Sequence, residues 1–408
     1  MPRIDSPGPM TTVERRVTAA LAAVFAMRML GLFVVLPVLA VHAVALEGAT
    51  PLLIGLAIGT YGLMQGILQI PFGMLSDRYG RKPMIVLGLV LFAAGGLLAA
   101  WSDSIWGVIV GRALQGCGAI SGVVMALLAD ATRETHRARA MAAIGITIGL
   151  SFGLAMVLGP LVVAGAGLSG LFLFTSLMAV ASLMLVLGVV PTPAVVPQRG
   201  GRRLWPRLVR VARHPGLFRL DLGVFLLHLV MVAVFVVIPP ALVRDAGLPV
   251  ASHWKVYLPV VLVSILAMAP VLMRAERRGR VREAVLLGGV GIVLSLLVMA
   301  VAAGNLWLLV AGLLLYFVAF NLLEAAMPAM VSRVGPTWSR GAAMGVYSSS
   351  QFMGAFAGGL VGGGLASVLP PQGVLMSCAL LFAGWVVFAR TLRNARNARG
   401  RGPEAGVP

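Results

Sequence analysis

Charge is scarce in this chain. Only 11% of its 408 residues are charged and 60% are hydrophobic, whereas a soluble domain carries about 25% charged residues. This excludes an ordinary soluble domain and predicts an integral membrane protein. Acidic residues are scarcer still, 13 against 32 Lys and Arg. Because the basic residues lie in short loops between apolar runs rather than along one groove-facing element, no nucleic-acid partner is expected.

Cysteine and clusters of reactive side chains are also scarce. Cys117 and Cys378 both lie inside apolar segments and give neither a disulfide framework nor metal-ligand spacing. The five His and the scattered acids form no nucleophile–base pair and no metal cluster, which argues against an enzyme. No nucleotide-binding loop is present, so ATP is not the expected energy source. The sequence therefore predicts no catalytic residues, no metal and no cofactor.

Long apolar runs occupy most of the chain. A membrane-spanning helix needs about 20 largely apolar residues, and twelve such segments predict an all-α membrane protein. They lie at residues 17–43, 52–76, 83–101, 104–130, 138–164, 169–190, 218–243, 253–273, 283–302, 305–331, 340–367 and 371–391. When the loops are assigned alternately to the two sides, nearly all Lys and Arg lie on one side, and Arg244 and Lys255 remain on the other. Because basic loops stay in the cytoplasm, both termini are predicted to be cytoplasmic.

One long polar stretch divides the twelve segments into two sets of six. It is a basic linker at residues 191–217, rich in Pro, Gly and Arg. We therefore predict a six-helix bundle at 17–190, a second one at 218–391, a cytoplasmic N-terminal tail at 1–16 and a disordered cytoplasmic tail at 392–408. Segments 5 and 11 share small and aromatic residues at an offset of 200 positions, which favours a duplicated half. They coincide at Ala142/Ala342, Ala143/Ala343, Gly145/Gly345, Phe152/Phe352, Ala155/Ala355 and Gly159/Gly359.

A compact charged turn joins segments 2 and 3. It reads Gly73-Met-Leu-Ser-Asp-Arg-Tyr-Gly-Arg-Lys82, and its charges cannot lie in hydrocarbon. The order G-x-x-x-D-R-x-G-R-K resembles the loop 2–3 signature of the major facilitator superfamily. The resemblance implies two parallel six-helix bundles with a substrate site between them near the midplane. It also implies a cytoplasmic charge cluster that holds one conformation. We predict this conformational latch at Gly73, Asp77, Arg78, Gly80, Arg81, Asp130 and Arg139.

Two arginines lie far from the ends of predicted spans, where ionisable groups mark function by default. Arg112, in Gly111-Arg112-Ala-Leu-Gln115-Gly116, resembles the R-x-x-Q-G motif of the superfamily, whose Arg is linked to proton transfer. It can tune the proton affinity of a nearby carboxyl or hold a fixed hydrogen bond; the alternative is an Arg that snorkels to the membrane face. Arg28 lies about mid-segment 1, which implies a cavity or a buried partner. Many drug/proton antiporters of this superfamily have an acidic residue in segment 1, where this chain has Arg28. This difference argues against a cationic substrate and favours an anionic or neutral one.

The second half carries the predicted proton-binding group. Glu324, in Asn321-Leu-Leu-Glu324, is our candidate proton carrier, because a carboxyl in a low dielectric binds a proton more readily. A static ion pair with Arg28 or Arg112 is the alternative. Asn321 shares its helix face. His228 can titrate near neutral pH, or it can bond a helix carbonyl.

Segment 5 contains a Gly-rich packing motif. Gly153, Gly159 and Pro160 resemble the G-x-x-x-G-P motif of antiporters, with Ala155 in place of its first Gly. Close helix packing without a transport direction is the alternative.

The resemblance covers almost the whole chain and is strongest to the YajR-type inner membrane transport proteins. It is carried by Met27-Arg28-Met-Leu-Gly-Leu-Phe33, Phe225-Leu-Leu-His228, Asn321-Leu-Leu-Glu324-Ala325, Ala343-Met-Gly-Val-Tyr-Ser348 and Gln351-Phe352. It implies a monomeric, multi-pass protein of the cell inner membrane that uses protons as the coupling ion. We expect efflux of a small amphipathic or drug-like organic compound by antiport and alternating access. Proton symport, uniport of a metabolite, and a non-transporting membrane receptor are the alternatives.

Overall fold

The computed structural model describes residues 10–191, 204–302, 304–335 and 340–392. These ranges hold fourteen α-helices and a single isolated β-bridge, between Glu47 and Ser104. The helices are α1 (Thr12–Phe33), α2 (Leu36–His42), α3 (Pro51–Tyr79), α4 (Arg81–Ala100), α5 (Ile105–Cys117), α6 (Ser121–Asp130), α7 (Glu134–Val189), α8 (Leu204–Ala212), α9 (Pro215–Arg244), α10 (Trp254–Arg277), α11 (Val281–Ala300), α12 (Leu306–Val334), α13 (Arg340–Ala366) and α14 (Pro371–Ala389). The predicted all-α class is thus confirmed for the described residues.

Local sequence signals set several helix starts. At α1, the Thr11 side chain accepts from the backbone N–H of Glu14, and the Glu14 carboxylate accepts from the backbone N–H of Thr11, which forms a capping box. Thr50, before Pro51, caps α3, and Asn305 caps α12. In each case the side chain accepts one backbone N–H. Because α1 begins at Thr12, the first helix starts five residues before the predicted span.

Ten helical stretches in the described ranges are long and apolar enough to cross a membrane. One of them, α7, has 56 residues and covers two predicted segments. As one straight helix it would extend about 84 Å, far beyond a hydrocarbon core of about 30 Å. It is broken at Gly167, whose φ of 67° and ψ of −172° are not helical. The 27-residue α13 is not among the ten, since Gly and Ser lower its hydropathy.

Two predicted spans are interrupted in their middle. The first is divided between Phe33 and Leu36, where Pro37 occupies the first turn of α2. The fourth is divided between Cys117 and Ser121, where the Gly118 carbonyl leaves the regular helical pattern. Each interruption frees backbone groups inside the bilayer, which other parts of the protein must then satisfy.

The helices pack as two groups. Most helices of α1–α7 contact mainly one another, as do α9–α14, whereas α3 packs most extensively on α13. Helix α8 lies in the connecting segment against α13 and α9. The groups meet where α3 packs on α13, α2 on α9 and α7 on α10. Residues 1–9 and 393–408 of the predicted tails, and residues 192–203 of the predicted linker, lie outside the described residues.

The contact between α3 and α13 is tight along only part of its length. From Gly55 to Gly66, a Cβ on each Gly facing α13 would collide with or press on α13, at Gly359, Phe356, Phe352 and Met353 in turn. Further along, Gly73 on α3 and Gly345 on α13 have no neighbour within 4 Å of such a Cβ. We call the Gly55–Gly363 side the packed end and the Gly73–Gly345 side the open end. The helices therefore diverge after Gly66 and leave a cleft at the open end.

Candidate functional site

The predicted proton carrier lies beside the predicted His. Glu324 of α12 and His228 of α9 approach within 3.5 Å, from Oε1 of the carboxyl to Nε2 of the ring. The His228 side chain is 9% exposed and that of Glu324 is 31% exposed. The imidazole also packs on Phe320, one turn before Glu324, with 5.7 Å between ring centroids. The carboxyl thus has a buried basic partner, and part of the Glu324 side chain remains exposed.

Gln351 of α13 completes this contact and limits the protonation states of His228. Nδ1 of His228 lies 3.1 Å from the Val224 carbonyl oxygen, so Nδ1 carries a hydrogen and donates it. Nε2 lies 2.8 Å from the Gln351 amide nitrogen, which fits a neutral ring that accepts from Gln351. An ionised Glu324 would then face the Nε2 lone pair. The hydrogen bonds among Glu324, His228 and Gln351 are therefore best satisfied when one further proton is bound, either by the Glu324 carboxyl or by Nε2 of His228. In the second case the Gln351 amide is reversed, so that its oxygen accepts from Nε2.

Asn321 extends the same polar face by one turn. Its amide donates to the Ser264 hydroxyl of α10 at 2.9 Å, and Ser264 donates to the Val261 carbonyl at 2.7 Å. We call His228, Gln351, Glu324, Asn321 and Ser264 the C-half cluster. It joins α9, α10, α12 and α13 at one level. Gln351 precedes Phe352, whose carbonyl lies against Gly62 of α3, so this level is close to Gly66, where the tight contact between α3 and α13 ends.

Arg28 is held in the other half by acceptors without charge. Its guanidinium donates to the Ser121 hydroxyl at 2.7 Å, to the Gln65 side-chain oxygen at 2.7 Å and to the Gly118 carbonyl at 2.9 Å. It is 3% exposed. Gly118 and Ser121 flank the interruption of the fourth span, so Arg28 satisfies backbone that the interruption frees. Gln65 precedes Gly66, which places this contact at the level of the C-half cluster.

Arg112 is fully buried and does not reach a membrane face. It donates to the Gln115 side-chain oxygen at 3.0 Å and to the Ala57 carbonyl at 3.4 Å. Its guanidinium also lies 4.9 Å from the centroid of the Tyr61 ring. The Gln115 amide nitrogen in turn donates to the Thr175 hydroxyl at 3.0 Å. In the described part of the chain, neither Arg28 nor Arg112 forms an ion pair with Glu324 or another acid.

The predicted latch is brought together only in part. Arg81 meets Asp77 at 2.5 Å and Asp130 at 3.3 Å, and it donates to the Ser76 hydroxyl at 2.6 Å. Gly80, with φ of 97°, supplies the backbone turn between α3 and α4. The remaining predicted members lie apart from this contact: Arg78 stacks on Tyr79, Arg139 is exposed, and Gly73 lies in open space.

A second ionic contact, between Glu14 and Arg133, was not predicted from the sequence. The Glu14 carboxylate accepts from the backbone and the guanidinium of Arg133, at 2.9–3.0 Å, and thereby ties the start of α1 to the start of α7. This contact raises the pKa of Arg133. The Thr11-x-x-Glu14 pattern predicts the capping box, but no sequence signal pairs residue 14 with residue 133.

In the segment 5 motif, Gly159 is tightly packed whereas Gly153 is not. A Cβ on Gly159 would lie 2.6 Å from the Val34 carbonyl oxygen, so α7 packs directly on the interruption between α1 and α2. Pro160 is buried beside it. A Cβ on Gly153 would meet only Val261 of α10, at 3.8 Å, which is ordinary contact.

The sequence and the structure were compared with known proteins, and the matches belong to one family of transporters. The model of the Major Facilitator Superfamily matches residues 21–275 and 220–407. The inner membrane transport protein YajR of Escherichia coli K12 is 46% identical over 385 residues, which cover 94% of this chain and 85% of that protein. The multidrug resistance protein MdtH of Yersinia enterocolitica is 27% identical over 342 residues, 82% of each chain. A bacterial homologue of the human lysosomal transporter Spinster, solved in an inward-facing, occupied conformation, superposes with a TM-score of 0.76 at 13% identity, covering 98% of this chain and 100% of that one.

Proposed function

Because this chain belongs to the major facilitator superfamily, we propose that it is a proton-coupled secondary transporter with twelve membrane-spanning helices in two six-helix bundles. The count of twelve rests on the ten candidate spans, on the break at Gly167 that divides α7, and on the 27-residue α13. The basic loops support a cytoplasmic location for both termini. The chain is a multi-pass protein of the inner membrane, as its relative YajR is. We propose a monomer as the working unit.

The contact between Glu324 and His228 carries the proposal of proton coupling. It lies between helices of the second half, at the level where α3 and α13 separate, and the carboxyl side chain is 31% exposed. A proton that enters from the open end neutralises Glu324, which then no longer needs a cationic partner. When the proton leaves, the carboxylate must be stabilised by a charged His228 or by a change in helix packing. Protonation is thereby linked to conformation.

Alternating access follows from the uneven contact between the bundles. The α3–α13 contact closes the packed end, and the Arg81 contact with Asp77 and Asp130 lies at the open end, entirely within the first bundle. Under the proposed orientation, the open end faces the cytoplasm. Transport then requires α3 and α13 to separate at the packed end and to approach at the open end.

We propose that transport is antiport, in which an amphipathic organic compound leaves the cell as protons enter. The multidrug resistance relative MdtH and the Gly159-Pro160 pair of segment 5 support it. The cleft-side residues of α3 and α13 are largely Leu, Met, Phe, Gly and Ser, which suit a ligand that is mostly apolar.

The test begins with a ligand. A thermal-shift screen of amphipathic compounds on the purified protein, repeated at two pH values, identifies compounds whose stabilising effect depends on pH. A compound found in this way is then added to everted membrane vesicles with an acidic interior. Antiport predicts that the interior becomes more alkaline, whereas symport would acidify it further.

Glu324→Gln tests the coupling group. We expect this variant to keep substrate exchange across proteoliposomes without a pH gradient and to lose gradient-driven accumulation, because the amide cannot bind or release a proton. The matched control is Glu283→Gln, which changes an exposed carboxyl in the first turn of α11. Accumulation that survives in Glu324→Gln as well as in the control would refute this role.

A further inference from the structure

A second acidic side chain lies buried in the second half, outside the C-half cluster. Asp221 of α9 is 6% exposed, and its Oδ1 has no hydrogen-bond partner. In the described ranges it forms no ion pair within 4.0 Å. A buried carboxylate without a partner is strongly disfavoured, whereas a protonated carboxyl is tolerated. Asp221 is the seventh residue of α9, beyond the first turn of the helix, so its carboxyl does not cap the helix start.

The helix geometry places Asp221 on the side of the cluster that faces the open end. Gly354 of α13 lies against Phe225 of α9, and Gly358 lies against Leu229, so the two helices run in parallel and in register. Asp221 precedes His228 by seven residues and therefore shares its face, two turns nearer the open end. Gln351 and Tyr347 are likewise one turn apart on α13.

A buried tyrosine of α13, Tyr347, lies one turn nearer the open end than Gln351. Its side chain is buried, with the residue 3% exposed, and its hydroxyl has no hydrogen-bond partner. The helix that carries it, α13, packs against α9, which carries Asp221, and against α12, which carries Glu324. A phenol hydroxyl can donate and accept at once, so it is suited to link two groups that exchange a proton.

The other charged groups near Asp221 do not neutralise it. On α9 itself, the Arg219 guanidinium lies over the Phe388 ring of α14 at 5.1 Å and donates to the Pro215 carbonyl. His214 accepts from the backbone N–H of Leu217. From α8, Arg210 is exposed to solvent and has other contacts. Tyr347 of α13, Glu324 of α12 and His228 of α9 are further titratable groups on the helices concerned. In the described part of the chain, Arg333 of α12 and Arg390 at the end of α14 form no ion pair with Asp221.

We propose that Asp221 is a second proton-binding site of this transporter, through which protons pass between the open end and Glu324 by way of the Tyr347 hydroxyl. This deepens the proposed function and rests on it. Asp221 binds a proton from the open end, and its loss of that proton is matched by a gain at Glu324. The number of protons bound is conserved in each transfer, and no other reactant is needed.

Infrared difference spectroscopy tests the proposal without any substrate. Purified protein is titrated from alkaline to acidic pH, and the C=O stretch of protonated, buried carboxyls is followed. We expect two such bands in the wild type, loss of one in Glu324→Gln and loss of the other in Asp221→Asn. Asp245→Asn serves as the control at the opposite end of α9. Asp245 is already hydrogen-bonded to Arg244, which lowers the pKa of this carboxyl, so its replacement leaves both bands in place.

Two further variants keep the outcome decisive. Asp221→Glu retains a carboxyl and should shift its band rather than remove it, which separates a proton-binding role from a general effect on folding. Asp221→Asn should also shift the pH at which the Glu324 band appears, because the two sites exchange a proton. Tyr347→Phe should keep both bands and remove this dependence of Glu324 on Asp221. A spectrum of Asp221→Asn identical to that of the wild type overturns the proposal. The proposed function fails by a different result, gradient-driven accumulation in Glu324→Gln.

Discussion

Substitution of one glycine at the packed end is expected to change the conformation without touching the proton-binding groups. Gly59 of α3 faces the backbone of Phe356 on α13. A Cβ at position 59 would lie 2.7 Å from the Phe356 carbonyl oxygen, 3.1 Å from its Cα and 3.3 Å from its carbonyl carbon. Because all three are backbone atoms, no side-chain rotation can make room. Gly59→Ala must therefore push α3 and α13 apart.

The size of the effect follows from the cost of overpacking. Extra carbon atoms in a well-packed interior cost about 1–3 kcal/mol. This penalty applies only to the conformation in which the packed end is closed. The equilibrium should therefore shift toward the opposite conformation by about 5-fold to 150-fold, the factor that corresponds to about 1–3 kcal/mol.

Spin labels at the open end measure this shift. Gly73→Cys on α3 and Gly345→Cys on α13 both lie in open space, in a background in which Cys117 and Cys378 are replaced by Ser. We expect double electron–electron resonance to show a shorter distance between the labels in Gly59→Ala, because the open end closes when the packed end opens.

The control uses the same change of residue at a site without neighbours. A Cβ on Gly384 of α14 has nothing within 4 Å, so Gly384→Ala should leave the distance distribution unchanged and add about 0.5–1 kcal/mol of helix stability. If Gly59→Ala gives the same distribution as Gly384→Ala, the close backbone contact does not hold the packed end closed, and the reasoning is refuted.

Two further predictions concern the first bundle. Arg28→Met removes three hydrogen bonds from a charged donor, each of which contributes about 1.5–3 kcal/mol; we expect a large fall in the thermal unfolding midpoint, with partial recovery in Arg28→Lys, and an unchanged midpoint would contradict the bridging role. Arg81→Ala breaks the contacts with Asp77 and Asp130, which are partly exposed and contribute about 1 kcal/mol or less each. We therefore expect little change in unfolding but a change in the label distance at the open end. Arg78→Ala, which among the described residues disturbs a contact with Tyr79 alone, should change neither, and equal behaviour of the two variants would argue against the latch.

Much of the fold could be predicted from the sequence, because membrane insertion depends on local composition. The predicted spans 52–76, 83–101 and 371–391 lie within three residues of α3, α4 and α14 at each end. The family was also predictable, since the Gly73–Lys82 turn is one continuous string. The interruption of the fourth span was not predicted, because an apolar run of small residues does not show where its backbone leaves the helix.

The candidate site was predictable by residue type but not by partner. Glu324, His228 and Asn321 stand out as polar residues in apolar runs, and the structure brings Glu324 and His228 together. Their contact with Gln351 and Ser264 could not be foreseen, since it depends on which faces of α9, α10, α12 and α13 meet. The suggested ion pair of Glu324 with an Arg is replaced by the contact with His228, while Arg28 and Arg112 bind uncharged acceptors.

The sequence by itself determined that the chain lies in a membrane, approximately where its long apolar helices lie, and to which family it belongs, because hydropathy and a contiguous motif are properties of neighbouring residues. Only the tertiary structure decided that Gly59 is sterically required whereas Gly153 is not, that Asp221 is buried without a partner, and that one end of the α3–α13 contact is closed. These depend on helix faces far apart in sequence, and the bilayer does not select them, because its hydrocarbon is as apolar as the side chains that pack there.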